Sequence, residues 1–192
     1  MSEIADRFVV VLDANVLYPF RVRDVLLSFA EAGLYRARWS AQILDEWKKK
    51  LIQNKPHLEA SVLSQEEAII EAFPEALISG FEPIIPSLNL PDQNDCHVLA
   101  AAIVSGAQHI VTENLRDFPA DVLGRYGIEA VTADDFLSST FELYPMPAIK
   151  ELAKVRQSYD NPAMTQSEFI MDLNRYGLVK TAGLARDMKE FL

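Results

Sequence analysis

The chain has 192 residues, 49% of them hydrophobic and 24% charged, with a formal net charge of −10. That composition supplies a real core for one domain of ordinary size with an appendage and excludes global disorder. It also speaks against a simple basic coat for nucleic acid, and the longest strictly apolar run, 98–104, is far short of the ~20 residues a membrane helix requires. The first nineteen residues carry acids and no cleavage site behind an apolar core, so no secretory signal is expected. The single cysteine, Cys96, excludes an internal disulfide and fits a reducing cytoplasm. The charge is uneven. Residues 57–137 hold fourteen acids against two basic residues, while 1–56 and 138–192 are close to balance.

Phe8, Val9, Val10, Val11 and Leu12 form a continuous apolar run ending at Asp13-Ala14-Asn15, which predicts a strand buried on both faces. Val22, Val25, Leu26, Phe29 and Ala30 then follow helical spacing up to Gly33. Residues 37–39 suit a second strand. Ser40 is placed to cap a helix whose apolar stripe is Ile43, Leu44, Trp47 and Leu51. Residues 59–73 read as another helix, and 81–90, rich in proline, as a short edge strand and loop. Pro91-Asp92-Gln93-Asn94-Asp95 opens a helix of small apolar residues that Gly106 ends. Strands at 109–112 and 129–131 flank a helix over 119–126, and Thr132 caps the helix that follows.

Strands alternating with helices predict an α/β domain with a mostly parallel sheet over 1–140. The segment Tyr144-Pro145-Met146-Pro147 breaks the alternation, and 141–192 reads as a helical extension with three apolar stripes. In an open parallel sheet, ligands bind beyond the carboxyl ends of the strands. Asp13 and Asp117 fall there, and the helix opened by Asp95 begins at the same edge. Converging carboxylates repel one another and call for a cation. Oxygen ligands without paired His or Cys favour Mg²⁺ or Mn²⁺ over zinc. Single acids at strand ends and in first helical turns are also ordinary caps, so spacing alone leaves both readings open.

The order of motifs narrows the choice. Leu12-Asp13-Ala14-Asn15-Val16-Leu17, Ser40-x-x-Ile43-Leu44-Asp45-Glu46, Asp95-x-x-Val98-Leu99-Ala100-Ala101-Ala102 and Val111-Thr112-x-Asn114-x-x-Asp117-Phe118-Pro119 together resemble a PIN domain, of the VapC-like toxins of bacterial toxin–antitoxin pairs. The resemblance covers residues 8–137. It implies a three-layer α/β/α sandwich, a Mg²⁺- or Mn²⁺-dependent endoribonuclease acting on single-stranded RNA, a homodimer and a cognate antitoxin. It places Asp13, Glu46, Asp95 and Asp117 as the catalytic, metal-binding quartet, with Asn15, Asp92, Thr112 and Asn114 in support. One departure stands out: where the closest subgroup has two adjacent acids, this chain has Asn94-Asp95.

Arg21, Arg23 and Arg38 are the basic residues expected to meet an RNA backbone, with Arg36 and Lys48, Lys49 and Lys50 as further candidates. Asp45 adjoins Glu46 but points about 100° away from it on a helix, and the motif selects Glu46. His97, close to Asp95, is open to a part in the chemistry, but the expected role is packing or capping near the helix start. Two other functions compete. One is a catalytically weak PIN-like module that binds RNA or protein. The other, phosphoryl transfer through Asp13, needs a late lysine, and residues 104–135 contain none.

Overall fold

The computed structural model describes residues 8–192. The first seven residues, part of the stretch read as lacking a secretory signal, lie outside the described ones. The chain forms two compact units, one made by the segment up to residue 18 with 35–131, the other by 19–34 with 132–192.

The first unit is built on a sheet of five parallel strands: β1 (Val9–Leu12), β2 (Arg36–Ser40), β3 (Leu77–Ile78), β4 (His109–Val111) and β5 (Glu129–Val131), in the order β3-β2-β1-β4-β5. β1 is central, and Val10, Val11 and Leu12 have no exposed surface. This is why its sequence is a continuous apolar run rather than an alternating one. The helices of this unit are α1 (Ala14–Leu17), α3 (Ala41–Asn54), α4 (Glu59–Ala72), α5 (Cys96–Ser105) and α6 (Ala120–Leu123); α2 (Phe20–Glu31) belongs to the other unit. α5 packs on β1, β2 and β4. Its residues from Cys96 to Ala102 are all buried, and all but His97 are apolar. The family-type α/β fold expected from the alternation of elements is therefore present.

Two local differences have physical causes. The edge strand lies at Leu77–Ile78, not within 81–90. Residues Glu82–Ser87 form a 3-10 helix instead, and Pro83 and Pro86 have no N–H to give to a ladder. Asp95 does not open α5 directly; Gln93–Asp95 is a 3-10 turn capped by Asp92, whose Oδ1 accepts from the Asn94 N–H at 2.9 Å.

The second unit is helical. Besides α2 it contains α7 (Ala133–Leu143), α8 (Pro145–Gln157), α9 (Gln166–Arg175) and α10 (Val179–Asp187). Val25, Leu26 and Phe29 of α2 are buried in this unit's core, as are Leu137 and Phe141 of α7, Ile149 and Leu152 of α8, and Phe169 and Leu173 of α9. Thr132 caps α7 by accepting from the Asp135 N–H at 3.1 Å. Thr165 and Glu168 form a reciprocal capping box on α9. Pro145, read as a breaker, occupies the first turn of α8, where its missing N–H costs nothing. Residue 140 lies within α7. Among the described residues, no helix is long and apolar enough to cross a membrane.

Candidate active site

The parallel sheet brings the ends of β1 and β4 side by side, because Leu12 pairs with Val111. The next residue on each strand is polar. Asp13 is 6% exposed and Thr112 is fully buried. The Thr112 hydroxyl donates to Asp13 Oδ2 at 2.8 Å. Asn15, in the first turn of α1, donates from Nδ2 to the same carboxylate oxygen at 2.5 Å and to Thr112 Oγ1 at 2.8 Å. The Asn15 Oδ1 accepts the Glu113 backbone N–H at 3.1 Å, and Thr112 Oγ1 accepts the Asn114 N–H at 3.1 Å. Asn114 in turn donates its side-chain amide to Asp117 Oδ2. Residues about a hundred positions apart thus form one connected polar network.

Burial raises the Asp13 carboxyl above the usual aspartate range. Its hydrogen bonds with Thr112 and the Ala14 backbone oppose that, and the Glu46 charge adds to it. Glu46 sits on α3, whose start is fixed by the buried Ser40 hydroxyl accepting the Ile43 N–H at 3.1 Å. The Glu46 Oε1 receives His97 Nε2 at 3.0 Å and Gln42 Nε2 at 3.1 Å. Burial pushes this carboxyl up, but the His97 hydrogen bond and charge, helped by Gln42, outweigh it and hold Glu46 below the ordinary glutamate range. Asp95 is half-buried. Its own burial, then the charges of Asp13, Asp92 and Asp117, push it up to about 6. Asn94, by contrast, is exposed.

Charge therefore couples Asp13 to Glu46 and Asp95 to Asp13, Asp92 and Asp117, residues drawn from four separate stretches of the chain. The donor set is all oxygen apart from His97, which suits a hard divalent cation. Among the described residues, no three His, Cys, Asp or Glu side chains are already gathered as a metal-holding group. Asp13 and Asp117 are held instead by their own hydrogen-bond partners.

The three arginines are placed differently. Arg21 and Arg23 are both buried and lie in the helical unit. Arg21 Nε pairs with Asp172, and its guanidinium lies 3.8 Å from the Tyr159 ring centroid. Arg38, on β2, is partly exposed and donates from Nη1 to the Ala37 carbonyl at 2.9 Å. The contact of His97 with Glu46 was beyond sequence reasoning, since fifty-one positions separate them and neither spacing nor motif joins them; only the fold of the unit that holds both α3 and α5 does.

A family model described as PIN domain matches residues 9–116, more than half of the chain. The chain belongs to the PIN-domain family. A second model, the VapC50 C-terminal domain, matches residues 133–187, so the helices after the PIN domain are similar to that domain. A curated protein of Mycobacterium tuberculosis (strain ATCC 25618 / H37Rv), named "Putative ribonuclease VapC50", is 37% identical over 90 residues, which is 47% of this chain and 53% of that protein. The matched stretch spans about half the length of that relative. No solved structure matches the chain.

Proposed function

We propose that this protein is a divalent-metal-dependent endoribonuclease, the toxin of a type II toxin–antitoxin pair, acting in the cytoplasm on single-stranded RNA. One observation carries the reading. Asp95 is raised to about 6 by its burial and by the charges of Asp13, Asp92 and Asp117, so carboxylates from separate segments are near enough to repel one another. Such a cluster is costly unless a cation joins it. The name of the M. tuberculosis relative, a ribonuclease, agrees with it.

Asp13, Asp95, Asp117 and Glu46 would hold Mg²⁺ or Mn²⁺. Such an ion, when bound, acidifies its water and neutralises charge on the scissile phosphodiester. The chain's own residues do the orienting. Thr112 and Asn15 both bind Asp13 Oδ2, which fixes the carboxylate plane, and Asn114 does the same for Asp117. Asp92 caps the turn that presents Asp95. Arg38 is the basic group assigned to the RNA backbone, because Arg21 and Arg23 would have to leave buried positions to reach a phosphate. A homodimer and a basic antitoxin segment complementary to the acidic cluster complete the proposal.

A second reading, a weak binding module that sequesters RNA or a partner, draws on the lack of a preassembled metal-holding group among the described residues. The two separate in one experiment. Wild type and Asp95→Asn are incubated with labelled single-stranded RNA in Mg²⁺, Mn²⁺ or EDTA. Cleavage that needs metal and falls by more than about 100-fold in the variant, beyond the usual loss for a supporting residue, is the expected result. Retained RNA binding with no cleavage and no Mn²⁺ binding would favour the sequestering module.

A further inference from the structure

We infer that His97 is a positioning residue for Glu46, holding one oxygen of its carboxylate so that the other is presented to the metal and its water. The inference rests on the nuclease reading above and adds to it a residue outside the acidic quartet.

His97 lies in the first turn of α5 and is 3% exposed. Its neighbours Cys96, Val98, Leu99, Ala100, Ala101 and Ala102 are all buried. An imidazole in such surroundings loses its hydration and needs a compensating partner. Nε2 has one, Glu46 Oε1 at 3.0 Å. Nδ1 is buried and has no hydrogen-bond partner. A hydrogen on Nδ1 would be a buried donor without an acceptor, so the hydrogen-bond network assigns it to Nε2. An imidazole serving only to fill space would be replaced at less cost by an apolar side chain of similar size. Here one ring nitrogen goes unpaired while the other is committed to a single carboxylate oxygen.

Gln42 strengthens the case from the other side. It stands one turn before Glu46 on α3 and donates to the same oxygen, Oε1, at 3.1 Å. Two donors from two helices converge on Oε1, so Oε2 is the oxygen left for a ligand. The Glu46 side chain keeps 41% of its surface exposed. Without the clamp, a glutamate of that exposure would sample several rotamers. Outer partners that lock a ligating carboxylate are worth about 10- to 100-fold in metal affinity or activity.

The test compares wild type, His97→Leu and His97→Gln. Glutamine places an amide donor near the position of the imidazole Nε2, whereas leucine fills space only. Mn²⁺ affinity is read by calorimetry, and the Mn²⁺ concentration giving half-maximal RNA cleavage is read alongside. His97→Leu is expected to weaken Mn²⁺ binding about 10- to 100-fold and to raise the half-maximal Mn²⁺ concentration by a similar factor, while His97→Gln recovers most of the loss. Should His97→Leu fail to fold, His97→Asn, whose amide is too short to reach Oε1, takes its place. Wild-type Mn²⁺ affinity in the folded leucine or asparagine variant would overturn the positioning role, as would equal losses with glutamine. A wild type that binds no Mn²⁺ and cleaves no RNA would instead bring down the nuclease reading, and this inference with it.

Discussion

Thr112 has a single hydroxyl, and that hydroxyl ties two distant segments together: it donates to Asp13, and accepts from Asn15 and the Asn114 backbone. Replacing it with valine keeps the shape and removes every one of these bonds. The buried Asp13 carboxylate then loses one of its supports. Thr112→Val is expected to cost about 1–3 kcal/mol of stability and about 10- to 100-fold in metal-dependent cleavage, measured by urea unfolding and by RNA cleavage. Asp95 gives a prediction of the opposite sign for stability. A carboxyl raised by folding stabilises the folded state while protonated. That contribution is complete below the ordinary aspartate value of ~3.9 and is lost as pH rises through the folded value of about 6. Without metal, Asp95→Asn should therefore melt higher than wild type at pH 7.5, and the gap should close toward pH 4. Mn²⁺ at pH 7.5 should raise the melting temperature of wild type and not of the variant. The comparison with the variant isolates this effect, because Glu46, Asp135 and Glu168, all held low, tilt the whole-protein profile the other way. A melting difference that stays flat from pH 4 to 7.5 would contradict it. Asp13 could be placed at the carboxyl edge of the sheet from sequence because it ends an apolar strand run, whereas Thr112 entered through the family motif. His97 could not be placed on Glu46, since the contact depends on how the fold sets α3 and α5, two elements that no motif links.

At the scale of elements, punctuation was easier to read than pairing. Ser40 and Thr132 announce the helices they cap, and both accept the expected backbone N–H. Ser40 is the more consequential, because α3 carries Glu46 and the Ser40 hydroxyl is fully buried. Ser40→Ala should cost about 1 kcal/mol, as loss of an N-cap usually does, with Ile43 N–H left without its partner; thermal or urea unfolding reads it directly. β3 eluded the pattern for a plain reason. A strand of two residues, Leu77 and Ile78, is too short to show a period, and the proline-rich stretch after it drew the expectation forward. The apolar stripe of α2 was equally visible in the sequence, but a stripe says only that a helix buries a face. It does not say against what, and the partners of α2 lie beyond residue 131.

For the whole molecule, the chain moves between its two units three times, after residues 18, 34 and 131. The C-terminal helices are therefore not a removable tail. Ending the chain at residue 140 would leave Val25, Leu26 and Phe29 of α2 without α8, against which that helix packs. The truncated protein is expected to be insoluble or to lack a cooperative melting transition, which circular dichroism and size-exclusion chromatography would show. A soluble 1–140 fragment with a sharp transition would mean that α2 finds sufficient cover in what remains. During synthesis the same arrangement imposes a delay. α2 leaves the ribosome more than a hundred residues before α8 begins, on the order of ten seconds at ordinary translation rates. Through that interval its apolar face is a natural target for a holdase chaperone, and slowing translation after residue 31 would lengthen the exposure without changing a single amino acid.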